Sequence, residues 1–341
     1  MLTCCCEREI RLEVVIELIW RFKYMGDFIG VVKLEKDIPC LKEVSGKTFK
    51  SRIAGQDVLI IFPSIPDDYN PEHVDLVKGD LVVSPNLFVE NVNWGRVNVW
   101  PLGLFSVNAI LCYVSCEKSN IKEIYEEFPR WKEKLNNLRL IDSGNYMQPR
   151  QKVPSLLKGG GFDDGLQIFE VIKEEPLQYV RNSRTTEPIR IQFTEIEESY
   201  SMDQLTDLFT NVGSNKEIAL PYELLIMAYQ AMERHDFRSA VILGGTAVEQ
   251  AALRRLRKEY TSNNKFKIDK NKQKFTTLGG KFHWLSEKSV SIPVSDYKKT
   301  IVDVRNDATH DGIRPSYGDT KVCLENCKKL IKEYNPNILE E

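Results

Sequence analysis

Six consecutive residues near the end of this 341-residue chain, Arg305 to His310 with the sequence RNDATH, combine side chains that can do chemistry. Arg305 is a permanent cation, Asn306 carries an amide, and a histidine such as His310 can exchange protons near neutral pH. Cleavage of a phosphodiester bond needs a group that moves protons and a cation that stabilises the extra negative charge on phosphorus. The run is therefore a candidate site for that reaction.

The elements around the run limit where its side chains can point. Apolar residues recur at helical spacing between Ser295 and Gly312, which predicts that the run forms the last turns of a helix. On an ideal α-helix Asn306 and His310 share a face, whereas Arg305 and His310 diverge by about 140°. The active arrangement must then come from a distorted helix end, a second helix or a second subunit.

The run and its surroundings resemble the HEPN superfamily, whose signature is an Arg, usually followed by Asn, with a His four to six residues after the Arg. The resemblance covers roughly residues 216–341. Helical stretches are predicted there at Leu220 to Lys258, Phe275 to Lys288, Ser295 to Asp311 and Tyr317 to Tyr334. The segment Ala240 to Lys258 is rich in small residues, as is typical of the central helix of such bundles. A C-terminal all-α HEPN helical bundle is the fold that the resemblance implies.

The same resemblance implies a metal-independent endoribonuclease that uses no cofactor. RNA supplies its own nucleophile, the 2′-hydroxyl, so His310 would act as base or acid and Arg305 would stabilise the transition state. Asn306 would position the scissile phosphate or orient His310. HEPN proteins pair two such helices across a two-fold axis, which implies a homodimer with both copies of Arg305 and His310 in one cleft.

Further residues are candidates for supporting this site. Glu249 is a possible partner of Arg305 outside the reacting groups, although pairing with Arg254 or simple exposure is an alternative. A cluster of basic residues near the end of the same helix and in the following loop is a candidate track for RNA phosphates: Arg254, Arg255, Arg257, Lys258, Lys265 and Lys267. A solvated, flexible loop is the alternative interpretation of that cluster.

Charge is distributed unevenly along the chain, whose formal net charge is −2. Residues 216–341 contain 22 Lys and Arg against 17 Asp and Glu, a net charge of +5, which leaves −7 for residues 1–215. The C-terminal bundle is therefore the better candidate partner for a polyanion such as RNA.

The remainder of the chain predicts an α+β multidomain protein. Residues 1–140 contain short β-branched and aromatic stretches separated by turns, and then an amphipathic helix at Ile121 to Leu138 whose aromatic stripe is expected in the core. We interpret them as a β-rich domain with a closing helix. Residues 141–215 form a connecting α/β region, and residues 216–341 form the bundle.

Neither a membrane span nor a metal site is expected. The apolar runs are far shorter than the roughly 18 residues that a membrane helix needs, so a cytoplasmic location is predicted. The pairs Cys112/Cys116 and Cys323/Cys327 lack further ligands at zinc-site spacing and are predicted to be buried thiols. No role follows for the adjacent Cys4, Cys5 and Cys6.

Proteins that join such parts resemble toxins or abortive-infection effectors of antiviral defence, including the ApeA-like kind. By that resemblance the N-terminal region would sense or target a phage or cellular trigger. One alternative is a bundle that only dimerises or binds RNA without catalysis. A third interpretation places the function in the N-terminal region, which offers no readable motif.

Overall fold

The computed structural model describes residues 25–63, 75–84, 87–100, 104–143, 166–171, 178–181, 199–261 and 277–340. These residues form two compact units. The first contains the described residues up to 135 together with those from 166 to 214, and the second contains residues 136–143 and the described residues from 215 onward. Strands dominate the first unit and helices the second, so the predicted α+β class with a β-rich N-terminal region is confirmed.

An antiparallel sheet forms the centre of the first unit, in the order β2-β3-β6-β1-β7-β8, with β5 pairing with β6 and β4 pairing with β5. Consecutive residues are buried in the central strands, among them Phe28 and Ile29 of β1 and Ile110 and Leu111 of β6, so both faces of these strands are covered there. The strands are β1 Met25–Leu41, β2 Thr48–Ile53, β3 Gln56–Ile61, β4 Asp75–Ser84, β5 Leu87–Trp100, β6 Leu104–Glu117, β7 Leu166–Val171 and β8 Gln178–Arg181.

Two helices, α1 (Ile121–Ser143) and α2 (Met202–Val212), supply aromatic side chains to the core of this unit. Trp131 of α1 stacks on Phe209 of α2 with ring centroids 6.3 Å apart. The Trp131 indole N–H donates to the Ser51 hydroxyl at 3.0 Å, and that hydroxyl donates to the Phe209 carbonyl at 2.8 Å. The aromatic stripe of α1 therefore lies in the core, as its helical spacing predicted.

The second unit is a helical bundle with a short β-ladder. Its helices are α3 (Leu220–Glu233), α4 (Phe237–Thr261), α5 (Leu278–Glu287), α6 (residues 298–311) and α7 (Tyr317–Tyr334). Its strands β9 (Glu217–Ile218) and β10 (Leu339–Glu340) pair antiparallel. Among the described residues, no helix is long and apolar enough to cross a membrane.

The predicted helical stretch from Leu220 to Lys258 is interrupted, giving α3 and α4. His235 adopts a left-handed conformation with φ of 61°, and the Asp236 carboxylate then accepts from the Ser239 amide at 3.1 Å. A side-chain acceptor at this position satisfies one of the orphan amides that begin a helix. The break lacks Gly or Pro, which is why the sequence pattern did not show it.

Small residues let the other helices approach α4 closely. Ala240, Ala247, Ala251 and Ala252 are fully buried. At Gly244 an added Cβ would lie only 2.5 Å from Leu324 Cδ2 of α7. Helix α4 is thus the centre of the bundle, against which α3, α5, α6 and α7 all pack.

Candidate functional site

Helix α6, which contains the RNDATH run, is not a regular α-helix. Lys298–Asp303 is π-helical, Val304–Asn306 is α-helical, and Asp307–Asp311 is again π-helical. Gly312 ends the helix in a left-handed conformation, φ 68°, and its amide donates to the Asp307 carbonyl. Single π-turns inside helices are rare and frequently lie at functional sites.

The widened last turn changes the geometry of the candidate residues. Hydrogen bonds of a π-helix join residues five apart, whereas those of an α-helix join residues four apart. His310 lies within this turn and Arg305 lies directly before it. Their angular separation is therefore smaller than the roughly 140° of an ideal α-helix. The observed helix end is thus distorted, which is one of the three solutions that the sequence required.

Side chains satisfy carbonyl groups in this turn. Arg238, in the first turn of α4, donates from Nε to the Ala308 carbonyl at 2.8 Å. The Thr309 hydroxyl donates to the Arg305 carbonyl at 2.7 Å. Because buried or half-buried carbonyls are costly when unpaired, the Arg238 contact favours the widened turn. Sequence reasoning did not identify Arg238, which lies 70 positions from Ala308.

Arg305 belongs to a three-residue charged cluster with Glu249 and Lys281. The Arg305 guanidinium contacts Glu249 through Nη2 and Oε2 at 3.1 Å, and Lys281 Nζ contacts the other carboxylate oxygen, Oε1, at 2.8 Å. The side chains of Arg305, Glu249 and Lys281 are 23%, 18% and 6% exposed. Two basic side chains thus share one carboxylate in a largely buried cluster.

A glycine makes room for the Arg305 side chain on α4. Gly245 and Glu249 lie one turn apart on the same helix face. A Cβ at position 245 would lie 2.6 Å from Arg305 Cδ and 3.3 Å from Arg305 Nε. The Arg305 side chain therefore lies across Gly245 and reaches Glu249 one turn further along.

One donor of this arginine is unsatisfied. Arg305 Nε is buried, and no other described residue accepts a hydrogen bond from it. A buried donor without an acceptor is costly, and in native structures it calls for an explanation such as a catalytic role or a bound water.

Asn306 and His310 complete the predicted set. Asn306 is half-buried and His310 is exposed. Within the described part of the chain, no hydrogen bond joins His310 to Arg305. These two side chains would act on the same reactant only if that reactant lay between them or if a second copy of the chain supplied one of them.

The candidate RNA-binding cations divide into three groups. Arg254 forms a bidentate contact with Glu340, one of its bonds being Nη2 to Oε1 at 3.1 Å, and Arg255 pairs with Glu259 at 2.8 Å. Arg257 and Lys258 are exposed. Lys265 and Lys267 lie outside the described residues. The hydrogen bond from Arg254 lowers the pKa of Glu340, so this carboxylate competes with any phosphate for Arg254.

The thiol pairs lie in the interior. Cys112, Cys116, Cys323 and Cys327 are buried free thiols, and burial raises the pKa of Cys112 to about 12. No group of His, Cys, Asp and Glu in the described ranges could hold a metal ion. The triplet Cys4, Cys5 and Cys6 lies outside those ranges.

Comparison of the chain with protein-family models, curated proteins and solved structures found no match. The functional argument therefore depends on the residues and on their geometry. In that geometry, a desolvated arginine on a shared carboxylate lies one widened helical turn from an exposed histidine.

Proposed function

We propose that this protein is a metal-independent endoribonuclease whose C-terminal bundle is of the HEPN type. Arg305 and His310 are its catalytic residues and Asn306 positions the scissile phosphate or His310. The observation that supports this proposal best is the cluster of Arg305, Glu249 and Lys281 directly before the π-turn that contains His310.

The proposed reaction is transesterification within RNA. The 2′-oxygen loses its proton, attacks the adjacent phosphorus and forms a 2′,3′-cyclic phosphate, while the 5′-oxygen leaves and takes up a proton. His310 serves as base or acid in these transfers because an exposed imidazole can reach both solvent and substrate. Arg305 stabilises the charge on the non-bridging oxygens because its guanidinium donates to two oxygens at once.

A charged cluster that is largely shielded from water is suited to stabilising charge on these oxygens. Electrostatic interactions are stronger where water is excluded, and a fixed donor needs little reorganisation during the reaction. The Arg305 donors that Glu249 does not bind would favour binding of a phosphodiester at this place.

A second function is favoured by a specific observation. Arg305, Arg254 and Arg255 are each bound to a carboxylate, as in many bundles where arginines only stabilise the fold. A bundle that dimerises or binds RNA without cleaving it would show the same ion pairs. The unsatisfied Nε donor of Arg305 does not distinguish the two functions, because the Nε of Arg255, which pairs with Glu259, also has no acceptor among the described residues. The feature that favours catalysis is the position of Arg305 directly before the π-turn that contains His310.

The first test is cleavage of total cellular RNA by the purified protein in excess chelator. We expect cleavage to be unaffected by EDTA and to fall by about 10²–10⁴-fold in Arg305→Ala or His310→Ala. Thermal unfolding of His310→Ala should match the wild type because His310 is exposed. His283, which is also exposed and pairs with Glu287, offers the matched control His283→Ala, which should cleave normally.

Full cleavage by His310→Ala would refute the proposed mechanism. RNA binding without cleavage by the wild type would instead favour the non-catalytic function.

We further propose that the enzyme is a toxin or abortive-infection effector that acts as a homodimer through its bundle, with an N-terminal region that responds to a phage or cellular trigger. Growth arrest on expression of the wild type, relieved by His310→Ala, would support this role.

A further inference from the structure

Lys281 is a buried basic residue that no sequence pattern marked. It lies in the first turn of α5, whose N-terminus is capped by the Thr277 hydroxyl accepting from the Gly280 amide at 3.1 Å. Lys281 as a whole is only 4% exposed. Its ammonium reaches Glu249 Oε1 on α4 at 2.8 Å.

The position of Lys281 determines how Glu249 can bind Arg305. A carboxylate and a guanidinium commonly form two parallel hydrogen bonds, and both carboxylate oxygens are then used by the arginine. Here Lys281 binds Oε1, and Arg305 makes a single hydrogen bond from Nη2 to Oε2. The remaining terminal N–H groups of Arg305 are not bound by Glu249.

We propose that Lys281 is a positioning residue, which restrains Glu249 so that Arg305 keeps donors available for a phosphate. The role of the phosphate rests on the proposed function, whereas the effect of Lys281 on Glu249 and Arg305 does not. Without Lys281, Glu249 can turn both oxygens toward Arg305 and hold the guanidinium in a bidentate pair. That pair would neutralise Arg305 and occupy the donors that a phosphate needs.

The proposal makes a prediction about Arg305 that requires no enzymatic activity. In the folded full-length chain, Lys281→Met should lower the reactivity of Arg305 toward phenylglyoxal, a reagent for accessible guanidinium groups, as measured by peptide mass spectrometry. We expect a decrease of several-fold. The double variant Lys281→Met/Glu249→Gln should restore the reactivity, because a neutral amide does not capture the guanidinium.

The catalytic readout follows the same series. For a short single-stranded RNA, Lys281→Met should lower kcat by about 10- to 100-fold with a much smaller change in KM, since a transition-state interaction is lost. The double variant should recover part of kcat. Lys288→Met, at the exposed end of the same helix, is the matched control and should change neither value.

The outcomes separate this inference from the proposed function. Unchanged or increased phenylglyoxal reactivity of Arg305 in folded Lys281→Met would overturn the inference, whether or not the protein cleaves RNA. Wild-type protein that does not cleave RNA would refute the proposed function, and the reactivity series would still decide the role of Lys281. If Lys281→Met does not fold, Lys281→Gln keeps a polar side chain that is one bond shorter than lysine and loses the contact with Oε1, so it should show the same direction of change.

Discussion

At the scale of single residues, Gly245 decides where Arg305 can lie. Glycine in the middle of a helix costs roughly 1 kcal/mol relative to alanine, so its presence in α4 needs a reason. The reason is the Arg305 side chain, whose Cδ would lie 2.6 Å from a Cβ at this position. Gly244 beside it serves a different neighbour, Leu324 of α7.

These adjacent glycines provide a matched pair of variants. Gly245→Ala should push Arg305 away from Glu249 and lower RNA cleavage by about 10-fold or more, since small displacements of a positioned group are costly. Gly244→Ala should disturb only the packing of Leu324 and should retain most of the cleavage per folded molecule. The measurement is the RNA cleavage rate of each variant, corrected for the folded fraction obtained from thermal unfolding. Equal activity losses in the two variants would contradict this role of Gly245.

The residues of the site differ in how well the sequence revealed them. Arg305, Asn306 and His310 were recognisable because they are close in sequence and resemble the HEPN signature. Glu249 could be suggested only as one of several possible partners. Lys281 and Arg238 gave no signal, because each acts across the bundle on a residue at least 32 positions away.

At the scale of elements, the sequence predicted regular helices and strands better than it predicted irregular ones. The bounds of α7, Tyr317–Tyr334, agree with the predicted helical stretch to the residue. The π-turns of α6 were not predicted as such, because their cause lies in contacts from α4 and in the left-handed Gly312. The sequence did require some departure from an ideal helix, since Arg305 and His310 could not otherwise converge.

The short ladder of β9 and β10 holds the end of the chain to the start of α3. The Ala219 amide donates to the Ile338 carbonyl at 2.8 Å, and the Tyr222 hydroxyl donates to the Asn335 carbonyl at 2.8 Å. The bidentate contact of Glu340 with Arg254 of α4 adds a charged anchor. Arg254 therefore contributes to this closure in the structure, in addition to being a candidate for RNA binding.

The ladder should loosen in acid. The pKa of Glu340 is lowered by its hydrogen bond to Arg254, so the contact stabilises the folded state above the ordinary carboxyl pKa of about 4.3 and is lost as pH falls through the lowered value. Hydrogen exchange at the Ala219 amide should be slower in the wild type than in Glu340→Gln at pH 7. The difference should shrink below about pH 4. Equal exchange at pH 7 would show that the anchor contributes nothing.

At the scale of the whole molecule, composition predicted two chemically different regions, and the structure has two compact units of different class. The net charge of +5 over residues 216–341 remains the reason to expect RNA there. Composition could not show that residues 136–143 of α1 belong to the helical unit. The Asp142 carbonyl accepts a hydrogen bond from Lys328 Nζ at 2.6 Å, a contact with no counterpart in a sequence pattern.

The remaining question at this scale is whether one chain or two supply the proposed catalytic groups. The π-turn brings His310 toward Arg305 within a single chain, whereas the resemblance to HEPN proteins predicts a cleft shared by a homodimer. Differently tagged Arg305→Ala and His310→Ala chains, co-expressed and purified as heterodimers, distinguish the two arrangements. We expect a shared cleft, because the resemblance implies that two copies of the run face each other across a dimer.

The heterodimer should therefore cleave RNA although neither variant does so alone, since one subunit retains Arg305 and the other retains His310. Heterodimers of Arg305→Ala with the Arg305→Ala/His310→Ala double variant are the control and should be inactive, because no Arg305 remains in either subunit. Sedimentation should show dimers in every preparation. If the heterodimer of Arg305→Ala with His310→Ala is dimeric but inactive, each chain builds its own site around its π-turn. The distortion of α6 alone would then account for the geometry.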